Sequence, residues 1–212
     1  MAIHPLLLDI QQSMTFSGHL ETDVNRLLHL HHCPKTAEHS FRVGCEAERL
    51  AARFGGDPDA ARYAGLLHDI SAIFPNSERI RTAEALGIDI LPEEAAFPMI
   101  IHQKISRVIT KDIFQIQDQT ILDAIECHTT LKANPTQMDL IIFVADKIEW
   151  DQPGKPPYLD ELLSELDYSL ERGAFVYIEY LWNQRDRLKI IHPWLADAYE
   201  YLHPICSKIK NP

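Results

Sequence analysis

The chain has 212 residues, which is long enough for one sizeable hydrophobic core and does not require a second domain. Its 31 acidic and 20 basic side chains give a net charge of −11. That balance argues against a nucleic-acid-binding surface, because phosphate backbones are bound by clustered Lys and Arg. A small anionic substrate is compatible with this charge, since bound cations can dominate the local field of a site.

The sequence also indicates a compartment. No apolar run approaches the ~18 residues of a membrane span, and no basic region precedes the short apolar stretch at 5–10. We therefore expect neither a membrane helix nor a signal peptide. The four cysteines form no CxxC pair and no disulfide pattern, which favours reduced thiols in a cytoplasmic protein; they are Cys33, Cys45, Cys127 and Cys206.

Helical periodicity dominates the first half of the chain, without a convincing alternating strand pattern. Residues 1–21 indicate an irregular or short helical lead-in. Prolines and glycines at Cys33-Pro34, Gly55-Gly56 and Gly87 then divide the pattern into separate helices. We predict helices over 22–32, over 36–54, from a cap at Asp57-Pro58 to a break near Phe74-Pro75, and over 77–86.

Prolines and capping residues also set the boundaries in the second half. Pro92 and Pro98 punctuate two further segments, while Asp118 and Asp139 are expected to start two helices. The second of these contains the apolar run 140–145, which predicts deep burial. After a proline-rich loop at 153–157, we expect helices over 159–171, 174–187 and 194–207.

The predicted architecture is therefore a single all-α domain. Residues 22–150 would form a metal-binding core, and residues 151–212 would pack on that core as a C-terminal helical cover. The apolar C-terminal helices could support a homodimer.

Two segments place an ionisable residue directly after an unbroken apolar run, namely Leu66-Leu67-His68-Asp69 and Phe143-Val144-Ala145-Asp146. A buried carboxylate is costly unless it is paired or bound to a cation. His39, His102 and His128 occupy similar apolar-face positions in their predicted helices. Together these residues predict a buried metal centre with nitrogen and oxygen ligands.

The size of this set indicates more than one ion. Four imidazoles and two carboxylates are too many for one tetrahedral ion, and they suit two five- or six-coordinate ions that share a carboxylate. These ligand types favour iron, manganese, cobalt or zinc over calcium. Two ions about 3.5–4 Å apart can activate water and hold a phosphoryl group, so the indicated reaction is phosphoester or phosphoanhydride hydrolysis.

The order and spacing of these residues resemble the HD-domain phosphohydrolases, and within them the YqeK-type symmetrical hydrolases of diadenosine tetraphosphate. The resemblance covers residues 22–150 and implies an all-helical HD-domain bundle with a dinuclear, often iron, centre. It also implies a small-molecule nucleotide substrate that is cut into two molecules of ADP. The matching segments are His39-Ser40-Phe41-Arg42-Val43, His68-Asp69, His102, His128-Thr129-Thr130 and Ala145-Asp146-Lys147-Ile148-Glu149.

The resemblance further implies how the ligands divide between two ions. Asp69 would bridge the ions, and Asp69 and His68 would carry the catalytic role. The first ion would be held by His39, His68, Asp69 and Asp146, and the second by Asp69, His102 and His128.

Three positions depart from the usual pattern of this branch. Gln103-Lys104 replaces a common Gly-Pro pair, Leu131 replaces a frequent glycine, and Trp150-Asp151-Gln152 stands where an arginine is usual. No proposed metal ligand is changed. The three positions lie beside the ligands, where substituents shape the substrate pocket.

Several cationic and hydroxyl side chains close to the proposed ligands are candidate substrate contacts. For the cations the alternative is ordinary solvated surface charge, and for the threonines it is the end of a helix. The candidates are Arg42, Lys104, Arg107, Lys132, Thr129 and Thr130.

Alternative functions stay open at this point. The substrate could be another nucleotide, such as a nucleoside monophosphate or a guanosine alarmone. The chain could also be a catalytically idle domain that senses metal or nucleotide, or a helical protein whose His and Asp side chains satisfy one another. Asp146 could pair with a buried cation instead of a metal, but Lys147 is not expected to face it, because adjacent helical residues point in different directions.

Aromatic and histidine residues outside the motifs are expected to have structural roles. Trp150, Trp182 and Trp194 would pack in the core or an interface, with a base-stacking wall as the alternative. The seven remaining histidines, His192 among them, match no motif and are expected to be structural or exposed.

Overall fold

A computed structural model describes residues 4–207, which form twelve α-helices with short 3-10 turns between them and contain no β-strand. The prediction of an all-α fold is therefore confirmed. The helices are α1 (Pro5–Gln12), α2 (Leu20–Leu30), α3 (Pro34–Phe54), α4 (Pro58–Leu67), α5 (Arg79–Ala85), α6 (Pro92–Ala96), α7 (His102–Asp112), α8 (Gln119–Cys127), α9 (Gln137–Ile148), α10 (Leu159–Leu166), α11 (Leu170–Trp182) and α12 (Pro193–Ser207).

Local capping explains most of these boundaries. Gly55 ends α3 with a φ of 81°, and the Asp57 carboxylate accepts hydrogen bonds from two backbone amides at the start of α4. The helix expected to begin at Asp139 begins two residues earlier, because Thr136 is its N-cap and Asp139 is the third residue of a capping box. The helix after Asp57 is shorter than predicted, since it ends before His68 and a separate 3-10 turn follows.

The centre of the molecule is α9, whose run from Leu140 to Ala145 is fully buried. α9 packs against α3, α4, α8 and α11, so each of its faces meets another helix. Burying a Leu, Ile or Phe side chain contributes about 1.5–3 kcal/mol, so this run stabilises the core substantially.

Helices α3 and α4 approach each other at two glycines. A Cβ atom on Gly65 would lie 2.7 Å from the Cα of Gly44, a distance that real Cβ atoms do not adopt. The absence of both side chains lets the two backbones touch. This close packing brings His39 of α3 near His68, which follows α4 directly.

The C-terminal helices cover one side of this core. α11 packs on α9, while α10 and α12 both pack on α11. No helix within residues 4–207 is long and apolar enough to cross a membrane. The structure shows no disulfide among the cysteines it describes.

A buried ion-pair network ties α6, α7 and the segment before α12 together. The Glu94 carboxylate accepts hydrogen bonds from Lys104 Nζ at 2.8 Å, from the Leu91 amide at 2.9 Å and from His192 Nε2 at 3.3 Å. Glu94 and His192 are buried. Burial alone would raise the pKa of Glu94, but the bonds from these three partners outweigh it and lower the pKa below its ordinary value of 4.5.

We expect Glu94→Gln to lower the free energy of unfolding by about 3 kcal/mol at neutral pH, because the change leaves the Lys104 ammonium buried without a counter-charge. The folded state binds fewer protons than the unfolded state here, so the stabilisation is present above pH 4.5 and is lost as the pH falls through the lowered pKa. Urea unfolding of both proteins across this range checks the prediction. The control is Glu93→Gln, since Glu93 makes no ion pair within the described residues; a loss as large in this control would contradict the prediction.

Candidate metal centre

Four histidines from different helices meet at one end of α9. His39 lies on α3, His102 is the first residue of α7, and His68 and His128 are the C-caps of α4 and α8. Their rings contact in a chain, with centroid separations of 5.1 Å for His39–His68, 4.8 Å for His68–His128 and 4.8 Å for His102–His128. With Asp69 and Asp146 they form what we call the His/Asp cluster.

Three of these imidazoles are held by the same backbone arrangement. The Nδ1 atom of each donates to the carbonyl oxygen three residues earlier: His68 to Gly65 at 2.7 Å, His102 to Met99 at 2.5 Å and His128 to Ile125 at 2.8 Å. Because a carbonyl oxygen only accepts, Nδ1 must carry the proton. Each ring therefore presents the lone pair of Nε2 to the interior of the cluster, which is the tautomer that a metal ligand needs.

The two carboxylates lie between these Nε2 atoms. One oxygen of Asp69 is 3.0 Å from His102 Nε2 and 3.5 Å from His128 Nε2, and its other oxygen is 3.5 Å from His68 Nε2. Asp146 Oδ1 is 3.1 Å from His39 Nε2 and 3.6 Å from His68 Nε2. Two sets of three ligand atoms, each within 4.8 Å of one another, result: His39, His68 and Asp146, and His68, Asp69 and His128.

The hydrogen bonding of the cluster fits bound cations. The Nε2 atoms of His102 and His128 are 2.9 Å apart, and with both Nδ1 atoms protonated two lone pairs face each other. The buried His68 Nε2, which lies near both aspartates, makes no hydrogen bond within the described residues. Unsatisfied buried acceptors are costly, and a cation between them would remove that cost.

The electrostatics of the cluster are consistent with this arrangement. Burial lowers the pKa of His128 to about 4, so this imidazole is neutral at pH 7. Burial also opposes a charge on His68, but Asp69 and Asp146 outweigh it and raise its pKa to about 9. Without a bound cation His68 is therefore protonated at pH 7, and a cation that binds its Nε2 would displace that proton. Although burial disfavours their ionised forms, both aspartates have pKa values well below 3.8, held there for Asp69 by His68 and for Asp146 by Lys147. Two half-buried carboxylates are thus ionised and attract positive charge.

The expectation that Lys147 does not face Asp146 is wrong. The Lys147 ammonium group forms an ion pair with Asp146 Oδ2 and donates to the backbone oxygen of His128 at 3.3 Å. The rule for adjacent helical residues concerns the direction of Cβ, whereas the long stem of Lys147 bends back along the helix. Lys147 is therefore buried and contacts two members of the cluster, Asp146 and His128.

Three of the candidate substrate contacts lie beside the cluster. Thr129 Oγ1 is 3.2 Å from His102 Nε2, and the buried Thr130 accepts a hydrogen bond from Gln103 at 3.2 Å. Arg42 is exposed and pairs with Glu149 at 3.0 Å.

The other three candidates are engaged elsewhere. Each has a carboxylate partner that is not part of the cluster, so closeness in sequence to a ligand did not predict closeness in space. Lys104 pairs with Glu94, Arg107 with Asp123 and Glu126, and Lys132 with Asp139. We do not include these three in the proposed function.

The structure adds Arg79, which no sequence pattern indicated. Its Nη1 donates to the Met99 carbonyl at 3.2 Å, the same oxygen that holds His102. Burial lowers the pKa of Arg79, while the nearby charge of Asp69 acts in the opposite direction. Arg79 lies outside the motifs because α5 approaches α7 only through the tertiary fold.

The position where the family resemblance leads us to expect a glycine is strained in this chain. Leu131 has a φ of 58°, in the left-handed region where only glycine avoids a steric penalty. Its amide donates to the Cys127 carbonyl at 2.7 Å, which ends α8 next to His128. The buried Leu131 side chain offsets the strain by packing in the core.

Two cavities adjoin the cluster. The polar cavity has a volume of about 550 Å³ and is lined by His39 and Asp69 together with Lys35, Arg42 and Trp150. The apolar cavity, about 390 Å³, lies between α11 and residues 187–192, and it includes Met99 and Thr129 in its wall.

Of the other tryptophans, Trp182 stacks on Tyr199 at 4.3 Å and Trp194 packs on His192, as expected for structural aromatics.

A helical bundle that gathers four imidazoles and two carboxylates from five helices defines a candidate metal-dependent hydrolase. The chain belongs to the HD domain family, whose family model matches residues 36–151. It is 32% identical over 160 residues to the symmetrical bis(5'-nucleosyl)-tetraphosphatase of Staphylococcus aureus, covering 74% of this chain and 78% of the relative.

Two further similarities support this assignment. An uncharacterized protein in the pepC 5'region of Lactococcus lactis subsp. cremoris is 50% identical over 138 residues, covering 65% of this chain and 70% of that protein. A solved structure from Clostridium acetobutylicum, described as a predicted HD superfamily hydrolase involved in NAD metabolism, superposes with a TM-score of 0.79 at 27% identity. That superposition covers 91% of this chain and all of the other. The resemblance that the motifs indicated is thus confirmed.

Proposed function

We propose that the chain hydrolyses a nucleotide phosphoanhydride, and that its substrate is diadenosine tetraphosphate, cut symmetrically into two molecules of ADP. The observation that carries this proposal is the His/Asp cluster, in which Asp69 lies against His68, His102 and His128 while Asp146 lies against His39 and His68. The symmetrical tetraphosphatases among its relatives support the choice of substrate.

Two divalent ions fit the cluster. We infer that one ion is held by His39, His68, Asp69 and Asp146, and the other by Asp69, His102 and His128. The expected metal is iron, with manganese, cobalt or zinc as substitutes. When bound, such a pair acts as a Lewis acid toward phosphate oxygens and lowers the pKa of water that serves as nucleophile. The protein side chains contribute histidines in fixed tautomers, two ionised carboxylates and a largely water-excluded setting.

The surrounding side chains position the substrate. Thr129, next to His102, can donate its hydroxyl to a phosphate oxygen, while Arg42 and Arg79 supply positive charge near Asp69. In the reaction the oxygen of water bonds to one central phosphorus atom. The bond from that phosphorus to the bridging oxygen breaks, and this oxygen leaves on the second ADP, which is weakly basic and needs no strong general acid. The proton lost by the attacking water passes to solvent.

The presence of two separate cavities next to the cluster supports a central cut. A symmetrical substrate has a nucleoside at each end of its phosphate chain, so the bond at its centre reaches the cluster only if both ends find space. The polar cavity contacts the cluster through His39 and Asp69, and the apolar cavity does so through Thr129.

The first experiment is to measure the metal content of anaerobically purified protein, followed at once by incubation with diadenosine tetraphosphate and chromatography of the products. We expect about two ions per chain and ADP as the sole product. Two ions with cleavage of a nucleoside monophosphate or a guanosine alarmone instead would replace the substrate. Two ions with tight nucleotide binding but no turnover would indicate a sensing domain, and no metal after reconstitution with iron or manganese would refute the centre.

A further inference from the structure

Two residues that line the apolar cavity also contact His102, one at each nitrogen of its ring. The Met99 carbonyl accepts from His102 Nδ1 at 2.5 Å, and Thr129 Oγ1 lies 3.2 Å from its Nε2. Both Met99 and Thr129 line the cavity. A molecule in this cavity would therefore be separated from the His102 imidazole only by residues that contact that ring.

The walls of this cavity are suited to a flat apolar group. Phe97, Ile100, Leu181, Ile190 and Leu195 contribute hydrocarbon or aromatic surface. The volume of about 390 Å³ lies within the ~300–1,000 Å³ of typical small-molecule sites. A free phosphate or another small anion would gain little from such walls, whereas a nucleobase would gain from burying both faces.

The mouth of the cavity carries positive charge. Arg187 and Lys189 line it, are exposed, and make no ion pair with any carboxylate among residues 4–207. This is notable in a chain of net charge −11, whose other cations near the cluster are largely paired. Unpaired cations beside an apolar cavity suit a ligand with an apolar end and an anionic chain, which is the chemistry of a nucleotide.

The buried polar groups of the wall are already satisfied. His192 uses Nε2 for Glu94 and Nδ1 for the amide of Trp194, and the Thr130 hydroxyl is bonded to Gln103 and to the Leu131 carbonyl. The wall thus offers few free groups that could distinguish one base edge from another. The Tyr177 hydroxyl, which makes no hydrogen bond within the described residues, is the exception.

We propose that the apolar cavity binds one nucleoside of the substrate, with the base against its apolar walls and the phosphate chain running past Arg187 and Lys189 toward the cluster. The proposal rests on the proposed function and extends it, because it assigns residues outside the metal-binding core to substrate binding. It also predicts weak discrimination between purine bases, since contact with apolar walls depends on shape more than on base edges.

The first test fills the cavity. Leu188→Trp adds bulk to its wall, and we expect the KM for diadenosine tetraphosphate to rise about 10-fold or more. Metal content and the hydrolysis of bis(p-nitrophenyl) phosphate, which has no nucleoside, should be unchanged. The matched control is Leu163→Trp on α10, which is exposed, does not line the cavity and should keep the wild-type KM.

A second variant tests the cavity assignment even if Leu188→Trp does not fold. Lys189→Glu reverses an exposed charge at the mouth, and we expect a several-fold higher KM whose difference from wild type shrinks at high salt. Arg185→Glu makes the same charge change on an exposed residue outside the cavity wall and serves as control. Wild-type KM values in both Leu188→Trp and Lys189→Glu, with active wild-type enzyme, would overturn the cavity assignment alone.

Base discrimination gives an independent readout. Wild-type enzyme should cleave diguanosine tetraphosphate with a kcat/KM within about 10-fold of that for the adenosine compound, because among the described residues the wall leaves only the Tyr177 hydroxyl free to contact a base edge. A preference of 10³-fold would contradict apolar recognition in this cavity. No cleavage of either compound by metal-loaded wild type would refute the proposed function and this inference with it.

Discussion

Replacing Asp69 by asparagine is expected to reduce kcat for diadenosine tetraphosphate by about 10³-fold and to lower the metal content of the purified protein. Asp69 is the one carboxylate that contacts His68, His102 and His128, through both of its oxygens. An amide keeps the shape but removes the negative charge and one acceptor. Metal analysis and a single-turnover assay on the same sample check both parts.

The control for this prediction is Asp160→Asn, which makes the same change in an exposed ion pair with Lys155. It should leave metal content and kcat at wild-type values, because exposed ion pairs contribute little. His192→Ala is a poorer control, since His192 is buried and bonded to Glu94. Full activity in Asp69→Asn would rule out the proposed centre.

The core and the six members of the cluster could be predicted from the sequence because each leaves a local signal. A histidine or aspartate that interrupts an apolar run must be buried on folding, and buried charge requires a partner. Helix boundaries followed from prolines, glycines and capping residues. The start of α9 was misplaced by two residues, because Thr136 and not Asp139 is the N-cap. The errors were larger in the C-terminal part: the helix predicted over 159–171 ends at Leu166, and the one predicted over 174–187 spans Leu170–Trp182, because Ser169 caps its start.

The substrate contacts were less predictable because they depend on where long side chains end. Lys104 and Lys132 follow ligands closely in sequence, yet their ammonium groups reach Glu94 and Asp139. Arg79 is distant from every motif but approaches Asp69 through the packing of α5 on α7. The apolar cavity is formed by four separate parts of the chain, so no single sequence segment could predict it.

Lys147 connects residues that we assign to the two different metal ions. Its ammonium group joins Asp146, a proposed ligand of one ion, to the backbone of His128, a proposed ligand of the other. The side chain is buried against Phe143 and Tyr177, whose rings lie 5.0 and 5.2 Å from Nζ. We therefore regard Lys147 as a positioning residue that does not itself contact substrate.

Lys147→Met is expected to lower kcat or metal affinity by about 10–100-fold, the usual effect of removing a group that orients a metal ligand. It should also destabilise the metal-free protein by about 3 kcal/mol, because Asp146 is left as a buried charge without its cation. Bound metal would restore a counter-charge to Asp146, so the loss of stability should be smaller in the loaded protein. Unfolding of both forms by urea, with Lys155→Met as an exposed control, separates this role from simple core packing, which would give equal losses with and without metal.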